Sequence, residues 1–137
     1  MDIYTRKFEL IEDSLQKLSA IRRENPSLDQ YRNSWKDRDA AERNLQKIIE
    51  AFIDVGKMII AEKRFREPGN NREVFLILAG KKIFSSEFMT LVDKMIGMRN
   101  IIVHEYGEVD DFKVYNSITE ELEEDVNNFI KCVESLK

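Results

Sequence analysis

Four residues with chemically active side chains lie within eight positions of one apolar segment. Arg99 and Asn100 come first, His104 follows four residues after Asn100, and Tyr106 ends the group. An imidazole can take or give a proton near neutral pH, and a guanidinium can hold a phosphate through two parallel hydrogen bonds. The segment therefore combines a cation, an amide, a proton-transfer group and a phenol, a set suited to acid–base chemistry at a phosphate.

Arg99 is unusual because its surroundings on the helix are apolar. Successive residues of an α-helix turn by about 100°, which places seven residues within about 60° of Arg99: Phe88, Val92, Met95, Ile96, Ile102, Val103 and Tyr106. An unpaired charge there would be costly, so one interpretation is a structural ion pair, with Glu42 as the candidate partner. For His104 alone, a hydrogen-bonded and partly buried histidine is the commoner interpretation.

A polar stripe runs along the same helix, roughly 100–180° away from Arg99. It consists of Ser86, Thr90, Asp93, Gly97, Asn100 and His104. Gly97 in mid-helix costs about 1 kcal/mol relative to alanine, and its small size lets another helix approach closely. We therefore predict that this face packs across a two-fold axis against a second subunit.

Apolar residues at helical spacing predict the elements that position these groups. Long helices are expected from about Ile3 to Arg23, from beyond Arg38 to near Arg66, from Ser85 to about Tyr106, and from between Asp111 and Ser117 to the end. Ser27 with Gln30, and Asn70 with Glu73, resemble capping boxes of shorter helical segments. Gly80 is a plausible helix C-cap, and the polar stretch 35–38 could hold a bend. We predict one all-α domain over residues 1–137, a bundle of four long helices plus a short one.

The composition excludes several classes of protein. The 137 residues carry a formal charge of −4, which argues against a basic nucleic-acid coat protein. One histidine and one cysteine, Cys132, rule out a His/Cys zinc site within one chain, and we expect neither metal nor cofactor. We also expect no membrane segment and a cytoplasmic location, because no apolar run approaches the roughly 20 residues that span a bilayer.

Charge is unevenly distributed along the chain. Residues 57–82 hold seven Lys/Arg against three Asp/Glu, whereas residues 105–137 hold three against ten. Solvated helix faces are the simplest interpretation. The alternative is that a basic rim contacts phosphates; it would comprise Lys63, Arg64, Arg66, Arg72, Lys81 and Lys82.

The segment Arg99–Tyr106 resembles the Arg-x4-His-x-Tyr signature of the HepT-like toxins, a branch of the HEPN superfamily of helical RNA-processing proteins. The flanking stretches 94–98 and 107–110, and Ala41–Gln46 leading into Asp54, are also similar to that family. The resemblance covers roughly residues 3–136. It implies an all-α, HEPN-like homodimer or higher oligomer whose motif helices meet at the interface.

The resemblance further implies a metal-independent endoribonuclease toxin with an MntA-type nucleotidyltransferase as its antitoxin. The antitoxin is expected to transfer AMP to the motif tyrosine, which corresponds to Tyr106. Independently, RNA cleavage without a metal needs a base, an acid and a cation. His104 can serve as the base or the acid, Arg99 as the cation, and Asn100 can orient His104 or the substrate. On one helix Arg99 and His104 point about 140° apart, so both reach one phosphate only over a long distance or across two subunits.

Two other functions are compatible with the residues. The chain could be a non-catalytic helical partner that binds a nucleotide or a nucleotidyltransferase through Arg99 and Asn100. It could also be a plain oligomeric bundle with a buried polar seam. If activity required a metal, Glu42 and Asp54 would be the first carboxylates to consider. An AMP adduct on another residue, such as Tyr115, would contradict the assignment of Tyr106.

Overall fold

The computed structural model describes residues 3–103 and 110–136 in full, and the backbone of His104. These residues form helices and connecting turns, without a β-strand among them. The α-helices are α1 (Thr5–Glu24), α2 (Leu28–Arg32), α3 (Trp35–Glu62), α4 (Asn71–Gly80), α5 (Ser86–His104), α6 (Asp111–Asn116) and α7 (Leu122–Glu134). A π-helical turn, Ser117–Glu121, joins α6 to α7, so the last three elements form one continuous rod. No helix within the described ranges is long and apolar enough to cross a membrane.

The N-caps at Ser27 and Asn70, and the two helix starts that they predict, are confirmed. Ser27 Oγ accepts the Gln30 amide at 3.2 Å, and Asn70 Oδ1 accepts the Glu73 amide at 2.8 Å. Each cap satisfies an amide that the first helical turn leaves unpaired. The two shorter segments that follow these caps are the helices α2 and α4.

Two predicted boundaries are wrong for local reasons. The stretch 35–38 holds no bend, because α3 already begins at Trp35 and the chain turns at Asn33 and Ser34. The same helix ends at Glu62 rather than near Arg66. Arg64 takes a left-handed backbone conformation, φ 56°, and the Phe65 amide donates to the Ile60 carbonyl. This is the pattern of a Schellman motif, which closes a helix.

Gly80 is not the left-handed cap of α4 either. Lys82 occupies that conformation, with φ 61°, and the Ile83 amide donates to the Leu78 carbonyl. Arg64 and Lys82, near the two ends of segment 63–82, therefore adopt a left-handed backbone that glycine would adopt with less strain.

The π-helical turn interrupts an otherwise regular amphipathic pattern. Thr119 Oγ1 donates to the Tyr115 carbonyl at 2.8 Å, and Asn116 Nδ2 donates to Glu121 Oε1 at 2.9 Å. Hydroxyls that bond back to a carbonyl four residues earlier compete with the helical amide ladder, which suits a π-turn. The apolar stripe is nevertheless kept, with Ile118, Leu122, Val126, Phe129 and Val133 all buried.

A stack of aromatic rings joins the long helices. Phe52 of α3 lies on Phe129 of α7, with ring centroids 3.9 Å apart, and Phe88 of α5 stands 6.0 Å from the same ring. Gly56 lets α4 pack directly on α3, since a Cβ there would lie 2.7 Å from Val74 Cγ1. The packing of α3 against both α4 and α5 fixes the helix that carries the Arg99 segment.

Candidate active site

Arg99 lies on α5 at the edge of the core. Its side chain is only 21% exposed, and Met95 and Ile96 of the preceding turn are buried. Nη2 lies 3.4 Å from Glu50 Oε1, and Nη1 donates to Asn100 Oδ1 at 3.1 Å. The Nε atom is buried and has no hydrogen-bond partner among the described residues. Both terminal nitrogens of the guanidinium are thus engaged, and Nε is the nitrogen without a described partner.

Glu50 is the partner of Arg99 that the sequence analysis did not identify. The carboxylate beside Arg99 belongs to Glu50, about two turns beyond the candidate Glu42 on α3. Gln46 Nε2 donates to Glu50 Oε1 at 3.1 Å, so the order of contacts is Gln46, Glu50, Arg99, Asn100. The sequence does carry a signal for the contact between Gln46 and Glu50, because residues four apart on a helix are neighbours. Many pairs of surface residues have the same spacing, so the signal does not single out Glu50.

The structure brings Asn100 to Arg99. His104 is the last described residue of α5, and its side chain, like all of Tyr106, lies outside what the structure describes. The predicted orientation of His104 by Asn100 and the predicted position of the Tyr106 phenol therefore stay predictions. So do the end of this helix at Gly107 and the catalytic roles of Arg99, Asn100 and His104.

The part of the polar stripe from Ser86 to Gly97 faces outward in the single chain. Thr90 and Gly97 are exposed, and nothing described lies within 4 Å of where a Gly97 Cβ would be. Asp93 is the exception, because it accepts two hydrogen bonds from Arg72 of α4, at 3.0 and 3.3 Å. The close approach that Gly97 permits is thus not used within the described part of this chain.

The chain that follows the motif is anchored at the start of α6. Asp110 Oδ1 caps the helix by accepting the Phe112 and Lys113 amides. Asp111 lies 3.5 Å from Arg38 Nη1 of α3, and the Tyr115 hydroxyl donates to the Asn25 carbonyl at 2.7 Å. Contacts to two other parts of the bundle therefore fix the position of α6.

A buried tyrosine, Tyr31, lies close to Arg38. The Tyr31 side chain is fully buried, and its hydroxyl has no hydrogen-bond partner within the described ranges. Burial, reinforced by the negative charge of Glu42, raises the pKa of Tyr31 well above its ordinary value. The phenol therefore stays neutral at physiological pH and serves packing against Tyr115, whose ring centroid is 5.3 Å away.

Three of the six side chains of the basic rim already make contacts within the chain. Arg66 pairs with Glu73, Arg72 with Asp93, and the Lys81 ammonium lies 5.1 Å from the Phe65 ring centroid. Lys63, Arg64 and Lys82 are exposed. Phosphate binding by this rim stays a prediction. The described residues include no group of three or more His, Cys, Asp or Glu side chains placed to hold a metal ion.

The bundle is similar to solved structures of helical toxins. It matches a tri-AMPylated HEPN toxin of Shewanella oneidensis, solved in complex with an MNT antitoxin, with a TM-score of 0.89 and 26% identity over 98% of each chain. The fold is therefore that of the HEPN toxins.

Two curated relatives agree with this assignment. The chain is 32% identical over 117 residues to a tRNA nuclease HepT of Aphanizomenon flos-aquae, covering 85% of this chain and 78% of the relative. It is 26% identical over 134 residues to an mRNA nuclease HepT of Shewanella oneidensis, covering 98% of each. Residues 11–133 match the family model described as "Ribonuclease HepT-like", and the chain belongs to that family.

Proposed function

We propose that this chain is the toxin of a toxin–antitoxin pair and a metal-independent endoribonuclease. The observation that carries the proposal is the Arg99 guanidinium, held at the core edge by Glu50 and Asn100, five residues before the single histidine. Such a cation can bind the scissile phosphate and stabilise the charge that develops on it. His104 then takes the proton of the 2′-hydroxyl or gives one to the departing 5′-oxygen.

The proposed active site is formed by two subunits. One chain offers one histidine, whereas cleavage needs both a base and an acid. The outward polar stripe, with its open space beside Gly97, supplies a face on which a second α5 can pack closely. Ile101 and Phe112, exposed by 38% and 54%, add apolar surface at the motif end of the same face. A homodimer would place two copies of Arg99 and His104 around one cleft.

We further propose an MntA-like nucleotidyltransferase as the antitoxin and Tyr106 as the residue it modifies. The Shewanella oneidensis toxin, which covers 98% of this chain, is described as tri-AMPylated and bound to an MNT antitoxin. AMP on Tyr106, seven residues after Arg99, would bring a phosphate to the Arg99 face of the helix. That phosphate would compete with RNA for the guanidinium, and the adenosine would block access.

Cleavage of RNA by purified variants tests the nuclease. We expect His104→Ala and Arg99→Gln to reduce kcat at least 100-fold with unchanged helical circular dichroism. Arg99→Lys should recover only part of the activity, because lysine lacks the bidentate fork. Binding of the nucleotidyltransferase by an unmodified protein that cleaves no RNA would contradict the proposal and favour a non-catalytic binding module.

Intact-mass measurement tests the modification. After incubation with the cognate nucleotidyltransferase and ATP, we expect a mass increase by whole AMP units and loss of cleavage. Tyr106→Phe should remain an active nuclease that the antitoxin does not silence by modification. An adduct that maps to Tyr115 instead would show that the modified residue is assigned wrongly.

A further inference from the structure

We propose that a groove between α1 and α3 binds the sugar–phosphate backbone of the RNA strand that is led to Arg99. The groove has a volume of about 410 Å³ and is lined by residues that include Lys7, Asp13, Arg43, Lys47, Glu50 and Asp54. Glu50 belongs both to this groove and to the ion pair with Arg99. The inference rests on the proposed ribonuclease function and adds a substrate-binding surface to it.

Each carboxylate in the groove already has a cation. Asp54 Oδ2 lies 2.9 Å from Lys7 Nζ, Asp13 lies 3.2 Å from Lys17, and Glu50 lies 3.4 Å from Arg99. Arg43 and Lys47, by contrast, form neither an ion pair nor a hydrogen bond with another described residue. The lining itself holds three cations and three carboxylates, but Lys17 and Arg99, from outside the lining, pair with two of those carboxylates, which leaves the positive charges of Arg43 and Lys47 without a paired carboxylate.

These two cations are aligned with the motif. Arg43 and Lys47 are four residues apart on α3, so they lie on one face and about 6 Å apart along the helix axis. Glu50, which contacts Arg99, follows on the next turn. A strand that places successive phosphates on Arg43 and Lys47 is thereby directed toward the Arg99 guanidinium.

The lining of the groove also indicates the kind of recognition. Its described residues include no aromatic ring on which a base could stack. Binding is then electrostatic, through phosphates, and depends on salt rather than on base identity. The groove would retain the RNA, and other parts of the active site would select the cleavage position.

The test uses the double variant Arg43→Gln/Lys47→Gln in the full chain. We expect the KM for a single-stranded RNA oligonucleotide to rise roughly tenfold, with kcat within about twofold of wild type. The slope of log affinity against log salt should fall by about 1.4, the value for two lost phosphate contacts to a single strand. Affinity for a 2′-O-methyl oligonucleotide of the same sequence, which cannot be cleaved through its 2′-hydroxyl, should fall by the same factor.

Two matched variants serve as controls. Arg23→Gln/Arg32→Gln removes the same charge from exposed positions, and Arg23 lies nine residues along α1 from the nearest groove residue, Ser14. We expect it to leave the KM and the salt slope unchanged. Arg64→Gln/Lys82→Gln removes the same charge from the basic rim, the competing location for RNA binding.

The outcomes separate the inference from the function on which it rests. An unchanged KM in the groove variant, an equal loss in the Arg23/Arg32 control, or a loss confined to the rim variant would overturn the groove alone. Loss of antitoxin binding with unchanged RNA affinity would overturn it too, by assigning the groove to a protein partner. A wild-type protein that neither binds nor cleaves RNA would overturn the proposed function itself.

Discussion

Glu50 and Arg99 form a partly buried ion pair that joins α3 to α5, with Oε1 and Nη2 3.4 Å apart. The carboxylate is oriented by Gln46, and the guanidinium also bonds Asn100. An arginine at an apolar helix edge needs such a counter-charge, because an unpaired buried charge is costly. The ion pair therefore offsets the cost of burying the charge and also fixes the position of the guanidinium.

The Glu50 side chain is expected to position Arg99 rather than to bind substrate. Glu50→Ala should lower kcat about 10- to 100-fold, because misplacement of a binding group by about 1 Å costs that much. Glu50→Gln keeps an oxygen that can accept from the guanidinium and should retain most of kcat. Steady-state cleavage kinetics measure both. Glu9→Ala, at an exposed position of α1, is the control, and equal kcat values for Glu50→Ala and wild type would contradict the positioning role.

Gly97 is expected to be needed for assembly and not for folding. Because no described atom lies within 4 Å of an added Cβ, Gly97→Leu should fold normally yet prevent close packing of two α5 helices. Light scattering should then report a dimer for wild type and a monomer for the variant. A wild type that is monomeric throughout, or a Gly97→Leu protein that is still a dimer, would refute the shared active site.

Gly56, unlike Gly97, is expected to be needed for the stability of the fold. An added Cβ would lie 2.7 Å from Val74 Cγ1, so Gly56→Ala must separate α3 from α4 or displace a buried valine. The free energy of unfolding should fall by about 1–3 kcal/mol, as for other overpacked cores. Urea denaturation measures this change, and Gly97→Ala, which should lose no stability, is the matched control.

Asp125 makes the stability depend on pH. Burial, together with the negative charges of Glu121 and Glu124, raises the pKa of Asp125. A carboxyl group with a higher pKa in the folded than in the unfolded state binds more protons when folded. The free energy of unfolding therefore falls as the pH rises from the unfolded to the folded pKa, and stays lower at neutral pH.

Asp125→Asn removes this penalty. We expect Tm at pH 7 to rise by roughly 1–3 °C, and the difference from wild type to vanish below about pH 3.5. Thermal melts at both pH values check the prediction. Glu123→Gln changes the same charge at an exposed position of α7, and a similar gain there would mean that net charge, not burial, is responsible.

Cleavage of RNA is expected to survive a chelator. The proposed mechanism uses only Arg99 and His104 for charge and proton transfer, so EDTA should change the rate by less than about twofold. Loss of activity in EDTA and recovery with a divalent cation would instead point to the carboxylates of Glu42 and Asp54.

The sequence by itself determined the helices and the family. Apolar spacing of three and four residues predicts the long helices, and Ser27 and Asn70 mark two starts that the structure confirms. The Arg99–Tyr106 spacing predicts the family. These features are local, because hydrogen bonds within four residues and side-chain periodicity decide them.

The tertiary structure alone decided the partner of Arg99 and the ends of two helices. Several carboxylates of α3 could face α5, and the crossing of the two helices selects Glu50, which a helical wheel cannot reveal. Arg64 and Lys82 adopt left-handed backbones that their residue types disfavour, since packing of the following Phe65 and Ile83 on the core compensates for the strain. Likewise, the groove between α1 and α3 is formed by the packing of these two helices. The same packing sets Arg43 and Lys47 beside carboxylates that already pair with other cations.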